Sequence, residues 1–281
     1  MRLDVTMWKL LKANLLRLNP SFGLSFGLAS VLNTDSLMLR LPQGSNLTAY
    51  PPANHLLAAL PQQEYEQLLP HLTLVAWNQG EQLSGAGDPA IYVSFPLSGI
   101  LSHSLTAEDG THVEVGLVGC ESLSGTEAIL PEGKMIHTVM VQIEGKALTL
   151  AAEPFREAFQ RGGVFQQITL RSLQSMSAQT SQTALCNRLH TVEQRLGRWL
   201  MMVHDRIQGD ELKLRQEVIG DMLGTSRSEV TVAAGSLRAA GLIEYSRGRI
   251  TVVNRTGLEK MSCECYKVIQ QHLNRLLPGS K

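Results

Sequence analysis

Aromatic residues are scarce in this chain, at 5% of 281 residues. Single-stranded nucleic acid is commonly held by stacking its bases on aromatic rings, so the composition argues against that mode of binding. Cysteine is also sparse: there are four, Cys120, Cys186, Cys263 and Cys265, scattered but for the last two. A disulfide scaffold is therefore not expected, and a reducing cytosol fits. There is no run of 18 apolar residues, so no membrane span is expected. An excess of one charge is missing too, since 25 Lys and Arg balance 25 Asp and Glu. With zero net charge, only the local distribution bears on a nucleic-acid partner. Met1 to Leu32 lack a compact apolar core and a clear cleavage site, and are not read as a signal peptide. No P-loop, Ser/His/Asp spacing or paired-carboxylate motif appears, so the chain is not expected to be an enzyme. Cys263 and Cys265 form an isolated C-x-C, too few ligands for zinc, and no metal site is expected.

What is present suggests two domains, by length and by a hydrophobic content of 43%. Residues 1–50 are interrupted by Gly, Ser, Asn and Pro and read as an N-terminal extension, with a short amphipathic helix over Met7 to Leu18. Residues 51–160 read as a sensor domain: Asn54 to Leu69 as short helices, then 72–150 with a period of two, in which Ile91/Val93/Phe95, Val113/Val115/Leu117 and Val139/Val141/Ile143 alternate, with turn signals between them. Short strands at this spacing predict an antiparallel roll. Residues 161–190 read as one long helix. On it Leu173, Met176, Thr180 and Thr183 recur at 3- and 4-residue spacing, as on a seam between paired helices, and form the candidate dimer interface. Thr191 to Gln194 is a capping box that opens the next helix.

Residues 191–260 carry the chemistry. Arg215 to Leu223 predicts a short helix, Gly224-Thr225-Ser226 a tight break, and Ser226 to Glu229 a second capping box, so that a new helix starts at Arg227. Helix, glycine-containing turn, helix is the helix-turn-helix pattern. Leu242 to Tyr245 and Ile250 to Val253 follow as a hairpin, a wing whose tip is Ser246-Arg247-Gly248-Arg249. The first turn of the second helix is sized for a major groove about 12 Å wide. Arg227 is suited to a bidentate contact with guanine, worth about 1–3 kcal/mol of discrimination. Ser226, Ser228 and Thr231 lie beside it, and Val232 suits a thymine methyl. Arg247 and Arg249 suit phosphate, adding affinity but little sequence information. Residues 188–260 hold 12 Lys/Arg against 9 Asp/Glu, a modest excess of three that predicts few, placed phosphate contacts. Residues 261–281 read as a C-terminal tail.

Over about 54–256 the chain resembles the Crp–Fnr superfamily of transcription regulators. The resemblance is carried by Gln216-Glu217 through Gly224-Thr225-Ser226-Arg227 to Leu237, by Gly241-Leu242-Ile243, and in the sensor part by Asp88 to Gly99, Glu108-Asp109-Gly110 and Val113 to Gly119. It implies an α+β fold: an N-terminal antiparallel, jelly-roll-like β-roll similar to cyclic-nucleotide-binding domains, a long dimerisation helix and a C-terminal winged helix-turn-helix. It also implies a cytoplasmic, bacterial homodimer that binds double-stranded DNA and engages RNA polymerase. Arg227 becomes the base-reading arginine, with Ser228 and Val232 at two further specificity positions, where the best-known members carry charged residues.

The effector pocket departs from the family pattern. Glu121, Ser124, His137 and Thr138 fall in the pocket regions, but the Gly-Glu pair is missing and His137 stands where an arginine is expected. A neutral imidazole does not replace a bidentate guanidinium. Cyclic nucleotide is therefore not expected as cofactor. The cysteine cluster of iron–sulfur sensors is missing as well, since residues 1–119 contain no cysteine. The alternative reading is a small-molecule or protein-interaction module whose winged helix does not read DNA.

Overall fold

The computed structural model describes residues 52–246 and 248–276. The expected N-terminal extension lies outside them, as does Arg247. Two short helices, α1 (His55–Ala58) and α2 (Gln62–Leu68), lead into the β-roll. Asn54 caps α1: its side chain accepts from Leu56 N and Leu57 N, and its Nδ2 donates to Pro96 O and Ser122 O. A fully buried asparagine is tolerated there because all of its polar capacity is used.

Seven strands follow: β1 (Leu72–Trp77), β2 (Gln82–Ser84), β3 (Tyr92–Pro96), β4 (Ile100–Thr106), β5 (His112–Val118), β6 (Thr138–Ile143) and β7 (Gly145–Ala151). They form two antiparallel sheets, β1-β7-β3 and β2-β6-β4-β5, which enclose a core containing Val93, Phe95, Leu101, Leu117, Val139, Val141 and Leu150. The predicted alternation holds for Val93 and Phe95 but not for Ile91, which precedes β3 and is exposed. On β5 the pattern fails in a more instructive way. Glu114, expected outward, is buried, because other elements cover that side of the strand as well.

Helix α3 (Ala152–Gln160) leads into α4 (Gly163–Leu189), whose span matches the long helix expected from the sequence. The buried stripe of α4 includes Phe165, Ile168, Ser172, Ser175, Gln179, Thr183 and Cys186, one every three or four residues. It packs within the chain. Gln179 clasps β5, its Oε1 accepting from Leu117 N and its Nε2 donating to Leu117 O. Thr180 Oγ1 donates to Val115 O.

Helix α5 (Val192–His204) opens with the predicted Thr191 capping box and buries Leu196, Trp199, Leu200 and Val203. Then come β8 (Glu211–Lys213), α6 (Gln216–Leu223), α7 (Arg227–Ala239), β9 (Ile243–Ser246), β10 (Arg249–Val252), α8 (Arg255–Met261) and α9 (Cys265–Leu276). The wing is a three-stranded sheet, β8-β10-β9, rather than a bare hairpin. Its extra strand buries Leu212 between exposed Glu211 and Lys213, an alternation too short to register in the sequence. The expected C-terminal tail contains α9, which buries Tyr266, Ile269 and Leu273 and packs on α4.

Candidate nucleic-acid interface and effector pocket

The helix-turn-helix is built as its residues dictate. Ser226 caps α7, its Oγ accepting from Glu229 N, while the Glu229 carboxylate accepts from Ser226 N at 2.9 Å. Hydrogen bonds from Thr225 Oγ1 and from Ser226 lower the Glu229 carboxyl to about 2, so the box stays closed at neutral pH. Val230, Ala233, Ala234 and Leu237 pack inward as predicted. Gly224 ends α6 in the left-handed conformation, with φ of 57°, where a side chain is strained. Gly220 is needed for space: a Cβ there stands 2.9 Å from Thr225 O across the turn.

This frame turns one face of α7 to solvent. The Val232 side chain is among the most exposed large apolar groups, at 65%. Arg227 Nη1 lies 2.8 Å from Glu217 Oε1, with both side chains more than half exposed. An exposed pair of this kind is worth roughly 0–1 kcal/mol, so the guanidinium exchanges partners at little cost. Thr231 Oγ1 lies 2.9 Å from Gln216 Oε1 and 2.9 Å from Arg227 O. Ser226 Oγ and Ser228 Oγ are 2.9 Å apart. On the wing, Arg249 Nη1 lies 3.4 Å from Glu211 Oε1, again at the surface. The structure thus places Ser226, Arg227, Ser228, Thr231 and Val232 on the first two turns of α7, and Arg249 on the wing. Gln216 and Glu217, at the start of α6, orient two of these residues; in the sequence they carry part of the resemblance but are not among the expected DNA contacts.

The four pocket residues are less unified. Ser124 Oγ lies 2.8 Å from His103 Nε2, and the rings of His103 and His137 are 5.4 Å apart. Burial, with the neighbouring His137, lowers the His103 imidazole to about 3, so it is neutral across the physiological range. Burial lowers His137 too. Thr138 sits at the start of β6, paired with Ser104. Glu121 is engaged elsewhere: its Oε1 accepts from Gly119 N and from Arg206 Nε at 2.8 Å, in a pair almost wholly removed from solvent.

Arg206, just after α5, belongs to a set of contacts joining the roll to the winged segment. Trp199 Nε1 donates to Glu114 Oε1 at 2.9 Å, and Ser102 Oγ donates to Glu114 Oε2 at 2.6 Å. Gln79 Nε2 donates to Lys213 O. A Cβ on Gly224 would stand 3.1 Å from the Val113 side chain, so the turn of the helix-turn-helix lies directly on β5. Of the candidate dimer residues, Leu173 is half-buried, while Met176, Thr180 and Thr183 turn toward this chain's own β5 and α5. The exposed apolar residues of α4 are Leu170, Leu185 and Leu189.

A roll, a long helix and an exposed α7 followed by a wing define a chain with a winged helix-turn-helix. Residues 194–261 match the family model of the Crp-like helix-turn-helix domain. A global nitrogen regulator of Synechocystis sp. is 26% identical over 185 residues, spanning 62% of this chain and 81% of that protein. Among solved structures, FixK2 from Bradyrhizobium japonicum superposes with a TM-score of 0.60 at 16% identity, over 68% of this chain and 98% of that one. A CRP-family transcriptional regulator from Thermus thermophilus gives 0.56 at 20% identity, over 66% and 95%. The winged segment is thus similar to the Crp-like helix-turn-helix domain, and the chain shares its fold with these solved regulators.

Proposed function

We propose that the chain is a sequence-specific, DNA-binding transcription regulator that acts as a homodimer, with α7 in the major groove. The observation that carries this reading is the division of α7 into two faces. Val230, Ala233, Ala234 and Leu237 anchor it, while Arg227, Ser228 and Val232 face solvent without a structural task that needs them. Arg227 reads guanine, Ser228 and Thr231 reach base edges or phosphates, Val232 meets a thymine methyl, and Arg247 and Arg249 hold phosphates. The dimer forms along α4, through the face that carries the exposed Leu170, Leu185 and Leu189 rather than the inward-turned Met176, Thr180 and Thr183 of the expected seam. The protein works in the bacterial cytoplasm, with RNA polymerase as a partner, and catalyses no reaction. Glu121 is occupied by Arg206, and His137 stands in place of the expected guanidinium, so cyclic nucleotide is not the effector in this reading.

The test is selection of binding sites from a random duplex pool with the purified chain and with Arg227→Ala. Recovery of a two-fold symmetric motif, with half-sites about one helical turn apart, is expected for the wild type. The variant should lose tight binding while staying folded. Unchanged affinity and preference in the variant would remove Arg227 from the reading.

A further inference from the structure

The isolated C-x-C of the sequence is not isolated in the fold. Cys186, on the last turn of α4, and His190, which caps its C-terminus, meet Cys263 and Cys265 from the junction of α8 and α9. Cys186 Sγ lies 3.4 Å from Cys263 Sγ, and Cys265 Sγ lies 3.4 Å from His190 Nδ1. The three sulfurs and a ring nitrogen all lie within 4.8 Å of one another, and the three cysteines are buried. From these observations the geometry points to a tetrahedral Cys3His site for a single zinc ion, held by Cys186, His190, Cys263 and Cys265.

Four features fit zinc. The first is size. With Zn–S bonds of about 2.3 Å, the edges of a tetrahedron are about 3.8 Å, close to the spacing found here. A polynuclear iron–sulfur cluster interposes sulfides between its irons and needs its cysteines farther apart. The second is ligand type, since three thiolates and an imidazole select zinc over magnesium or calcium. The third is the surrounding support. His190 presents Nδ1 to the cluster while its Nε2 lies 3.3 Å from Glu264 Oε1, so a carboxylate orients the ring of a metal-binding histidine in the usual way. Gln182 Nε2 donates to Cys265 Sγ at 3.1 Å, a hydrogen bond that a thiolate accepts well.

The fourth is charge. Arg195 and Arg198 of α5 are 8% and 4% exposed, the Nε of each has no hydrogen-bond partner, and neither forms an ion pair among the described residues. Arg198 donates to neutral partners, Thr183 Oγ1 and Met202 Sδ. Glu114 and Glu229 act on them only from a distance, and buried cations without a direct ion pair are costly. Zinc displaces the three thiol protons and leaves a centre of net charge −1 beside these two guanidinium groups. The site then ties the end of α4, where the chain turns through Thr191 into α5, to the base of α9.

Metal analysis of the full chain, purified without chelator, tests this directly. The expected content is about one zinc per chain, and cobalt substituted for it should show the intense visible bands of a tetrahedral thiolate site. Cys263→Ser should lose the metal and Cys120→Ser should keep it. His190→Cys should also keep it, with stronger thiolate-to-cobalt absorption, and guards against a simple folding failure in the serine variant. A folded, reduced chain that takes up neither zinc nor cobalt would overturn the site. So would several irons with acid-labile sulfide, a Cys186–Cys263 disulfide in the purified protein, or metal loss on Cys120→Ser.

Discussion

Glu114 is the most informative single carboxyl to perturb. It is 5% exposed on β5, between Ser102 and Trp199. Burial raises its carboxyl from 4.5 to about 7, although the hydrogen bonds from Ser102 and Trp199 and the charges of Arg198 and Arg206 pull the other way. The folded value lies above the unfolded one. Its stabilising contribution is therefore fully present below about pH 4.5 and is lost as pH rises through about 7. At about 1.4 kcal/mol per pH unit, the loss is on the order of 3 kcal/mol. Glu114→Gln retains an acceptor for Trp199 Nε1 and removes the titration. Urea denaturation of both proteins from pH 5 to pH 8 isolates the effect, because other titrating groups cancel in the difference. The glutamine variant should gain on the wild type by about 2–3 kcal/mol across that range. A difference that does not change with pH would refute the assignment of a raised pKa to Glu114.

Arg206→Ala leaves Glu121 buried without its partner and should cost about 3–5 kcal/mol, and the double variant with Glu121→Ala should recover part of that loss in the same denaturation assay. If the single variant unfolds like the wild type, the pair holds nothing. Leu185→Glu with Leu189→Glu places charge on the exposed face of α4, and light scattering should find the chain monomeric. A stable dimer would place the interface elsewhere on α4 or off it. Gly224→Val forces a β-branched residue into a left-handed cap pressed on Val113, and should lower stability by more than the roughly 1 kcal/mol of an ordinary cap change. A neutral result would mean the turn and β5 separate readily in solution.

The sequence made the local devices legible. Both capping boxes, the Gly224 break and the inward set on α7 rest on neighbours within one or two turns, and each appears where the residues predict it. The roll was legible as a series of strands because alternation is also local. What escaped depends on distant partners. Glu114 reads as the outward residue of an alternating strand until Trp199, 85 residues later, covers it. The seam on α4 shows the same limit. Leu173, Met176 and Thr180 each lie one residue from the stripe formed by Ser172, Ser175 and Gln179, and on a helix a shift of one residue is about 100°. Polar side chains fill that stripe, so hydrophobicity could not mark it, and Gln179 is buried because its amide completes the edge of β5.

The cysteines carry this furthest. Cys186-x-x-x-His190 places two ligands at the end of one helix, the second on its C-cap, but such a pair gains meaning only from a second pair. The second pair lies some 75 residues away, and the α4–α5 turn and α9 bring the two together. Arg195 and Arg198 are in the same position. On a helix facing solvent they would be ordinary surface charges, whereas beside the thiols they are buried cations whose balance calls for negative charge. The residues that join the roll, α4 and the winged segment thus include, beside apolar contacts such as Val113 on the Gly224 turn, polar pairs whose partners are set by topology. Such contacts constrain how the domains dock more tightly than apolar ones, because each group left unpaired on separation must find water or another partner.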